Sequence, residues 1–264
     1  MTHTSYSTPW VTAAKTPPGA QTRLFCFPYA GGGASVYRGW QAGLPARVAV
    51  HPVQYPGRES RISESPAHSL EALAEGAAEA IRPMLDRPFA FFGHSLGARI
   101  AFETARILRG RWGISPGCLM VSASRAPHLP EPRPIHHLPD DAFTDELRRF
   151  SGTPEAILAN PDFMAFYLPI LRADFQADET YRHEIQPPLE CPIAAFGGDS
   201  DPEAETEEIS QWAKHTTGTF SLEMFAGDHF FLNPQQPALL KSIGEHLSCR
   251  DFGRLSPTEI RAAH

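Results

Sequence analysis

The serine at position 95 has the sequence surroundings of a nucleophile. Ser95 lies at the centre of Gly93-His94-Ser95-Leu96-Gly97, which matches the pattern G-x-S-x-G. In this pattern a strand turns sharply into a helix, and the turn lifts the serine hydroxyl out of the sheet. The flanking glycines relieve the crowding because they carry no side chain. We predict that Ser95 is a nucleophile; the alternative is an ordinary tight turn.

A serine hydroxyl needs a base to remove its proton, so one of the 12 histidines must reach Ser95. His229 follows the last predicted strand, in the stretch FAGDHFFL. A histidine late in the chain fits the order serine, acid, histidine that accompanies G-x-S-x-G. His94 adjoins the serine but points the wrong way for a base. Six others lie in predicted tails, a proline-rich loop or helices: His3, His264, His136, His137, His215 and His246. We predict that His229 is the base.

An acid that orients this histidine is expected after the preceding strand, which ends in FGGDSDPEA. Asp199 and Asp201 both fit, and either could instead cap a helix. We favour Asp201, which would hold His229 in the required tautomer and stabilise the imidazolium as it forms. Asp228 is a poorer candidate because neighbours on the chain cannot easily face each other.

The stretch FCFPYAGGGAS places three glycines behind an apolar run. A phosphate loop is excluded because no Lys-Ser or Lys-Thr pair follows. A dinucleotide site would require a small residue where Val36 stands and an acid at the end of the next strand. The remaining interpretation is an oxyanion hole, in which two backbone N–H groups stabilise a tetrahedral intermediate. We predict Ala30 and Leu96 as the donors.

The composition of the chain argues against several classes of protein. The chain has 264 residues, of which 42% are hydrophobic and 20% charged, and a net charge of −7 argues against a nucleic-acid surface. Its four cysteines form no CxxC pair, so neither disulfides nor a structural metal is expected. We see no signal peptide and no apolar run of about 18 residues that could span a membrane. A cytoplasmic protein is expected.

The elements around these residues alternate between buried strands and helices. Strand-like runs are RLFCF, RVAVHPVQY, PFAFFG, CLMVSAS, PIAAFGG and FSLEMF, with helical patterns near residues 35–44, 70–84, 96–108, 203–214 and 235–247. This alternation predicts an α/β fold with a mostly parallel central sheet flanked by helices. Each candidate residue follows a predicted strand, where such sheets bind their ligands.

We predict one domain over residues 1–264, with a core of about 23–247 and flexible tails at 1–20 and 250–264. The interval after CLMVSAS is too long for one crossover, so residues from about 128 to 186 are interpreted as a helical lid insertion. Most of its aromatic side chains should pack the insertion onto the body. Our hypothesis is that four of them line an acyl-binding cleft: Phe163, Phe166, Tyr167 and Phe175.

Six stretches together resemble the type II thioesterases over about residues 23–247: FPYAGGGAS, YPGRES, FFGHSLGA, LPILRADF, GGDSDP and GDHFFL. These are discrete α/β-hydrolase enzymes that accompany polyketide and nonribosomal peptide synthases in antibiotic biosynthesis. The resemblance implies removal of aberrant or stalled acyl groups from the phosphopantetheine arm of acyl or peptidyl carrier proteins. It implies no cofactor, and it carries the triad onto Ser95, Asp201 and His229 and the oxyanion amides onto Ala30 and Leu96.

Other functions stay open at this point. A carboxylic-ester hydrolase would use the same triad, and transfer of the acyl group to an acceptor other than water would need a second pocket. A catalytically inactive interaction module is disfavoured by the intact triad. We expect a monomer that binds neither nucleic acid nor membrane.

Overall fold

The computed structural model of the chain describes residues 8–12, 17–150, 152 and 155–248. Within these residues, six strands form one sheet in the order β2-β1-β3-β4-β5-β6, and every neighbouring pair is parallel. The strands are β1 (Thr22–Phe27), β2 (Val48–Pro52), β3 (Phe89–His94), β4 (Leu119–Ser122), β5 (Ile193–Gly198) and β6 (Phe220–Phe225). The predicted parallel sheet is confirmed.

Helices cover both faces of the sheet. The α-helices in the described residues are α1 (Trp40–Gly43), α2 (Leu70–Ile81), α3 (Leu96–Trp112), α4 (Asp140–Arg149), α5 (Glu155–Leu158), α6 (Pro161–Thr180), α7 (Thr206–Ser210) and α8 (Gln236–His246). On β1, Phe25 and Phe27 pack with α2 and α3. Leu24 and Cys26 point the other way and pack with α1 and α8. Strands β3 and β5 are buried at every position, as expected where both faces are covered. The edge strand β6 differs from the expected buried strand, because it has a neighbour on one side only and exposes Ser221 and Glu223.

Two predicted helices are shorter than their sequence patterns. The pattern near residues 35–44 becomes a 3-10 helix (Ala34–Tyr37) and α1, separated where Gly39 adopts φ +87°. The left-handed backbone of Gly39 ends the first turn of helix before the second begins. The pattern near 203–214 becomes α7 followed by a 3-10 helix (Gln211–His215).

Helix α2 begins where the sequence predicts. Ser69 is its N-cap, and the Ser69 hydroxyl accepts a hydrogen bond from the amide of Ala72 at 3.1 Å. This bond satisfies one of the free N–H groups of the first turn. The buried face contains the predicted positions Leu70, Leu73, Ala74, Ala77 and Ile81.

The interval at 128–186 contains α4, α5 and α6 and a small apolar cluster of its own: Ile135, Phe143, Leu147, Leu158, Met164 and Leu171. Its helical character is as predicted, while the lid boundaries stay a prediction. In the segment 1–20, Val11 is buried and forms a bridge with Val53, so this short stretch is packed against the body. The predicted tail at 250–264 lies outside the described residues.

Gly97, in the first turn of α3, is expected to tolerate no side chain. A Cβ there would lie 2.1 Å from the carbonyl oxygen of Phe27, whereas a Cβ at Gly110 in the same helix would meet no atom within 4 Å. Gly97→Ala should lower the free energy of unfolding by about 3 kcal/mol. Gly110→Ala should raise it by about 0.5–1 kcal/mol. Denaturant titration measures both values, and equal stabilities would contradict this account of the β1–α3 contact.

Candidate active site

Ser95 stands in a strained turn between β3 and α3. Its backbone angles are φ 55° and ψ −124°, in a region that residues with side chains seldom occupy. A Cβ on Gly93 would lie 2.2 Å from the carbonyl oxygen of Gly97, so the two glycines allow the turn to close on itself. Strain of this kind persists where the surrounding structure enforces it, often at functional sites. The predicted strand, sharp turn and helix are all present.

Ser95, His229 and Asp201 form one chain of hydrogen bonds. The distance from His229 Nε2 to Ser95 Oγ is 3.0 Å, and that from His229 Nδ1 to Asp201 Oδ2 is 2.9 Å. A carboxylate only accepts, so Nδ1 carries the proton and Nε2 is free to accept from the serine hydroxyl. His229 and Asp201 are buried. The three residues follow β3, β6 and β5, so the carboxyl edge of the sheet brings them together.

The hydrogen bonds of Asp199 and Asp201 distinguish the two candidate acids. Asp201 Oδ1 accepts from the amide of Glu203 at 2.8 Å, which leaves Oδ2 directed at His229. Asp199 is exposed, and its Oδ1 accepts from the amide of Gly227 at 3.0 Å. Asp228 Oδ1 accepts from the amide of Phe230. Of these carboxylates, Asp201 is the one hydrogen-bonded to His229.

His94 supports the histidine of this chain from behind. It is fully buried, and His94 Nε2 lies 2.9 Å from the carbonyl oxygen of His229. Burial, with a smaller contribution from His229, holds the pKa of His94 well below its usual value. The neutral ring therefore donates from Nε2 to that carbonyl and accepts at Nδ1 from the hydroxyl of Ser122, at 2.9 Å. The sequence did not predict this contact, because both partners come from other strands or loops.

The two predicted oxyanion donors, Ala30 and Leu96, lie where the turn after β1 and the start of α3 approach each other. Leu96 is the first residue of α3, and Ala30 belongs to the turn after β1. A Cβ on Gly97 would lie 2.7 Å from the carbonyl oxygen of Pro28, so the turn and the helix start approach each other closely. Among the residues that the structure describes, no acceptor is bonded to either amide N–H. Both donors are therefore available to a ligand.

A cavity of about 340 Å³ opens beside Ser95 and His229. Its lining includes three of the four aromatic side chains predicted for an acyl cleft: Phe166, Tyr167 and Phe175. The fourth, Phe163, is 40% exposed and stacks on Tyr167 with ring centroids 5.3 Å apart. Phe150 and Phe230 add further aromatic surface to the lining. A cavity of this size with mainly apolar walls suits an acyl chain next to the serine.

Two charged residues near the site were not predicted to have a role. Arg58 and Asp174 stand in the stretches YPGRES and LPILRADF, and both are buried. Their guanidinium and carboxylate groups form an ion pair, with Arg58 Nη2 2.9 Å from Asp174 Oδ1. The sequence does show an acidic residue, Asp174, within an apolar helical pattern. Its partner Arg58 lies 116 positions away along the chain, so the pair could not be recognised from the sequence.

Residues 22–247 match the thioesterase domain family. The chain belongs to this family. It is therefore a thioesterase, a hydrolase of thioester bonds, and the predicted enzyme class is confirmed.

This thioesterase is 44% identical over 246 residues to linear gramicidin dehydrogenase LgrE of Brevibacillus parabrevis, a match that covers 92% of this chain and 93% of that one. It is also 44% identical over 239 residues to thioesterase PikA5 of Streptomyces venezuelae, covering 90% and 85% of the two chains. A solved structure of the type II thioesterase BorB, from the borrelidin biosynthetic cluster, superposes with a TM-score of 0.83 at 39% identity. That match covers 92% of this chain and 99% of that one. The resemblance to type II thioesterases and the α/β-hydrolase fold are confirmed.

None of the helices in the described part of the chain is both long and apolar enough to cross a membrane. In the same residues, no three side chains of His, Cys, Asp or Glu are grouped so that they could hold a metal ion.

Proposed function

We propose that this thioesterase releases acyl groups from the phosphopantetheine arm of acyl or peptidyl carrier proteins, with Ser95 as nucleophile, His229 as base and Asp201 as orienting acid. The observation that carries the proposal is the chain of hydrogen bonds from Asp201 through His229 to Ser95, which ends at the mouth of an aromatic cavity. A nucleophile, a base and a group that orients the base make up the arrangement required for acyl-enzyme chemistry.

The first half of the reaction transfers the acyl group to the serine. His229 Nε2 takes the proton of Ser95 as Oγ attacks the thioester carbonyl carbon. The carbonyl oxygen becomes an oxyanion, which the amides of Ala30 and Leu96 stabilise. When this intermediate collapses, the C–S bond breaks and the leaving sulfur takes the proton from His229 Nε2, so the carrier thiol departs and His229 is again a neutral base. A thiol of pKa about 8.5 leaves with less help from an acid than an alkoxide needs.

The second half of the reaction frees the enzyme. Water takes the place of the thiol, and His229 removes its proton as it attacks the acyl-serine carbonyl. Collapse of the second tetrahedral intermediate returns the proton to Ser95 Oγ and releases a carboxylic acid. Asp201 keeps the imidazole oriented and stabilises its charged form in both halves.

The type of pathway is inferred from the relatives. BorB is described as a type II thioesterase of a borrelidin cluster, and another relative at 43% identity is a gramicidin S biosynthesis protein of Aneurinibacillus migulanus. These descriptions support removal of aberrant or stalled chains from a polyketide or nonribosomal peptide synthase. A cytoplasmic monomer stays a prediction, as do the acyl-binding roles of Phe163, Phe166, Tyr167 and Phe175.

Hydride transfer, which the name of the gramicidin relative suggests, does not fit the residues of this chain. The glycine turn leads into a 3-10 helix of four residues (Ala34–Tyr37) instead of a long helix that could bind a pyrophosphate. Strand β2 ends at Pro52, where a dinucleotide site would have an acid for the ribose. Hydrolysis is the function that the site supports.

One acyl chain presented in two forms tests the carrier role. The purified enzyme is given the chain on a phosphopantetheinylated carrier protein and as a simple oxygen ester. We expect kcat/KM to be at least about tenfold higher for the carrier thioester, because the thiol is the better leaving group. Hydrolysis of the oxygen ester with the carrier-bound chain left intact would contradict the carrier role and favour a general ester hydrolase.

A further inference from the structure

Helix α6 holds the glycine turn by the backbone of one residue. The amide of Gly31 donates to Asp174 Oδ2 at 2.7 Å, and the carbonyl oxygen of Gly31 accepts from the hydroxyl of Tyr167 at 2.5 Å. Asp174 and Tyr167 lie two turns apart on α6. Gly31 adopts φ +76°, and a Cβ there would lie 2.6 Å from Leu171 Cδ2, so the helix is packed directly against the turn.

The Gly31 amide is part of the peptide unit that follows Ala30. Fixing this unit on one side and the Gly31 carbonyl on the other fixes the backbone torsions between them. These torsions belong to Gly31, and a further hydrogen bond extends the constraint to Ala30: the amide of Gly32, in the same peptide unit as the Gly31 carbonyl, donates to the carbonyl of Tyr29 at 2.9 Å. The Tyr29 carbonyl and the Ala30 N–H share one planar peptide unit, so the direction of the Ala30 N–H depends on where α6 places these two side chains. An oxyanion donor is effective only when it points at the position where the charge develops.

Asp174 is itself held by a buried ion pair. Its carboxylate accepts from two nitrogens of Arg58, and the exposed fractions of the two side chains are 0% and 3%. Burial lowers the pKa of Arg58, but the charge and hydrogen bond of Asp174, with smaller contributions from Tyr55 and Tyr167, together outweigh it, so the net shift is upward and the guanidinium stays charged. The Arg58 Nε donates to the carbonyl of Pro56 at 3.2 Å, which fixes the guanidinium in turn. A buried ion pair contributes little net stability, so its value here lies in the precise placement of a carboxylate.

We propose that Asp174 and Tyr167 are positioning residues that set the oxyanion hole, with Arg58 holding Asp174 in place. The inference rests on the proposed function, since it takes the Ala30 amide as an oxyanion donor. It also gives α6 two tasks, because Tyr167 lines the acyl cavity with its ring while its hydroxyl holds the turn.

Tyr167→Phe tests the proposal with the smallest change. It keeps the ring in the cavity wall and removes only the hydroxyl bonded to Gly31. We expect kcat for an acyl thioester to fall about tenfold, while KM stays within about twofold. Tyr181→Phe is the matched control: it removes a hydroxyl just after α6 that donates to Glu103, and kcat should stay within about twofold. An unchanged kcat in Tyr167→Phe would overturn the proposal.

Two inhibitors separate positioning of the oxyanion hole from acyl binding. An acyl trifluoromethyl ketone accepts Ser95 Oγ at its carbonyl carbon, the serine proton passes to His229, and the ketone oxygen becomes an oxyanion. The second inhibitor is the pantetheine thioether of the same chain, in which CH₂ replaces the thioester carbonyl, so it binds without reacting. In Tyr167→Phe the Kd of the ketone should rise about as much as kcat/KM falls, and that of the thioether should not change. Equal losses for both inhibitors would overturn the proposal and assign Tyr167 to acyl binding alone.

Asp174→Asn extends the test and should weaken ketone binding more, by about 100-fold, because the ion pair with Arg58 is lost as well. If this variant does not fold, Tyr167→Phe alone decides. The unmodified enzyme tests the underlying function in the same experiment. If it bound the ketone no more tightly than the thioether, the assignments of the nucleophile and the oxyanion hole would be wrong, and the positioning role of Tyr167 would be overturned with them.

Discussion

Ser95→Ala is expected to slow hydrolysis of an acyl thioester by about 10⁴-fold or more. The substitution removes the hydroxyl that donates to His229 Nε2 at 3.0 Å, so no acyl-enzyme can form at this position. The residual rate would come from binding and from the amides of Ala30 and Leu96, which the substitution leaves in place. Release of the carrier thiol, followed with a thiol-reactive dye, measures the loss.

The fold of the Ser95→Ala variant must be intact for this result to count. Alanine keeps the Cβ of serine, so no new contact arises in the turn, and the midpoint of thermal unfolding should match that of the unmodified protein. Undiminished hydrolysis by a folded Ser95→Ala protein would show that the nucleophile lies elsewhere.

The second large effect is expected at the acid. Asp201→Asn should lower kcat by about 10³–10⁴-fold, because an amide can neither hold the productive tautomer of His229 nor stabilise its charged form. The substitution keeps the size of the side chain, so the buried site should not collapse. Steady-state kinetics with a carrier-bound acyl chain measures the effect.

Asp199→Asn is the matched control for the acid. Asp199 is exposed and bonded to the amide of Gly227, with no hydrogen bond to His229, so kcat should change by less than about threefold. The opposite ranking of the two variants would move the acid to Asp199.

The sheet and the serine turn could be predicted because local sequence determines them. Strands buried on both faces are apolar at every position, which explains why PFAFFG and PIAAFGG were recognisable. The turn at Ser95 needs glycine at Gly93 and Gly97 for steric reasons, and this need leaves a visible pattern. The choice between Asp199 and Asp201 left no such pattern, since both carboxylates follow the same strand and only the loop path directs one of them to His229.

The contacts that hold the site in place could not be predicted in the same way. Arg58 and Asp174 meet from positions 116 residues apart, and His94 contacts a carbonyl 135 residues further along the chain. Such pairs depend on how α6 and the loop after β6 pack onto the sheet. Helical periodicity predicts that α6 exists, but it does not predict which backbone groups its polar side chains will meet.

The central claim is that Ser95 takes the acyl group directly from a carrier protein. The most direct measurement mixes equal amounts of enzyme and acyl carrier protein, quenches with acid within milliseconds to seconds, and records peptide masses. The account predicts a transient acyl adduct on the peptide containing Ser95, formed as the phosphopantetheine thiol becomes free, and none in Ser95→Ala. An adduct on another residue, or loss of the acyl group from the carrier at the same rate with Ser95→Ala, would contradict it.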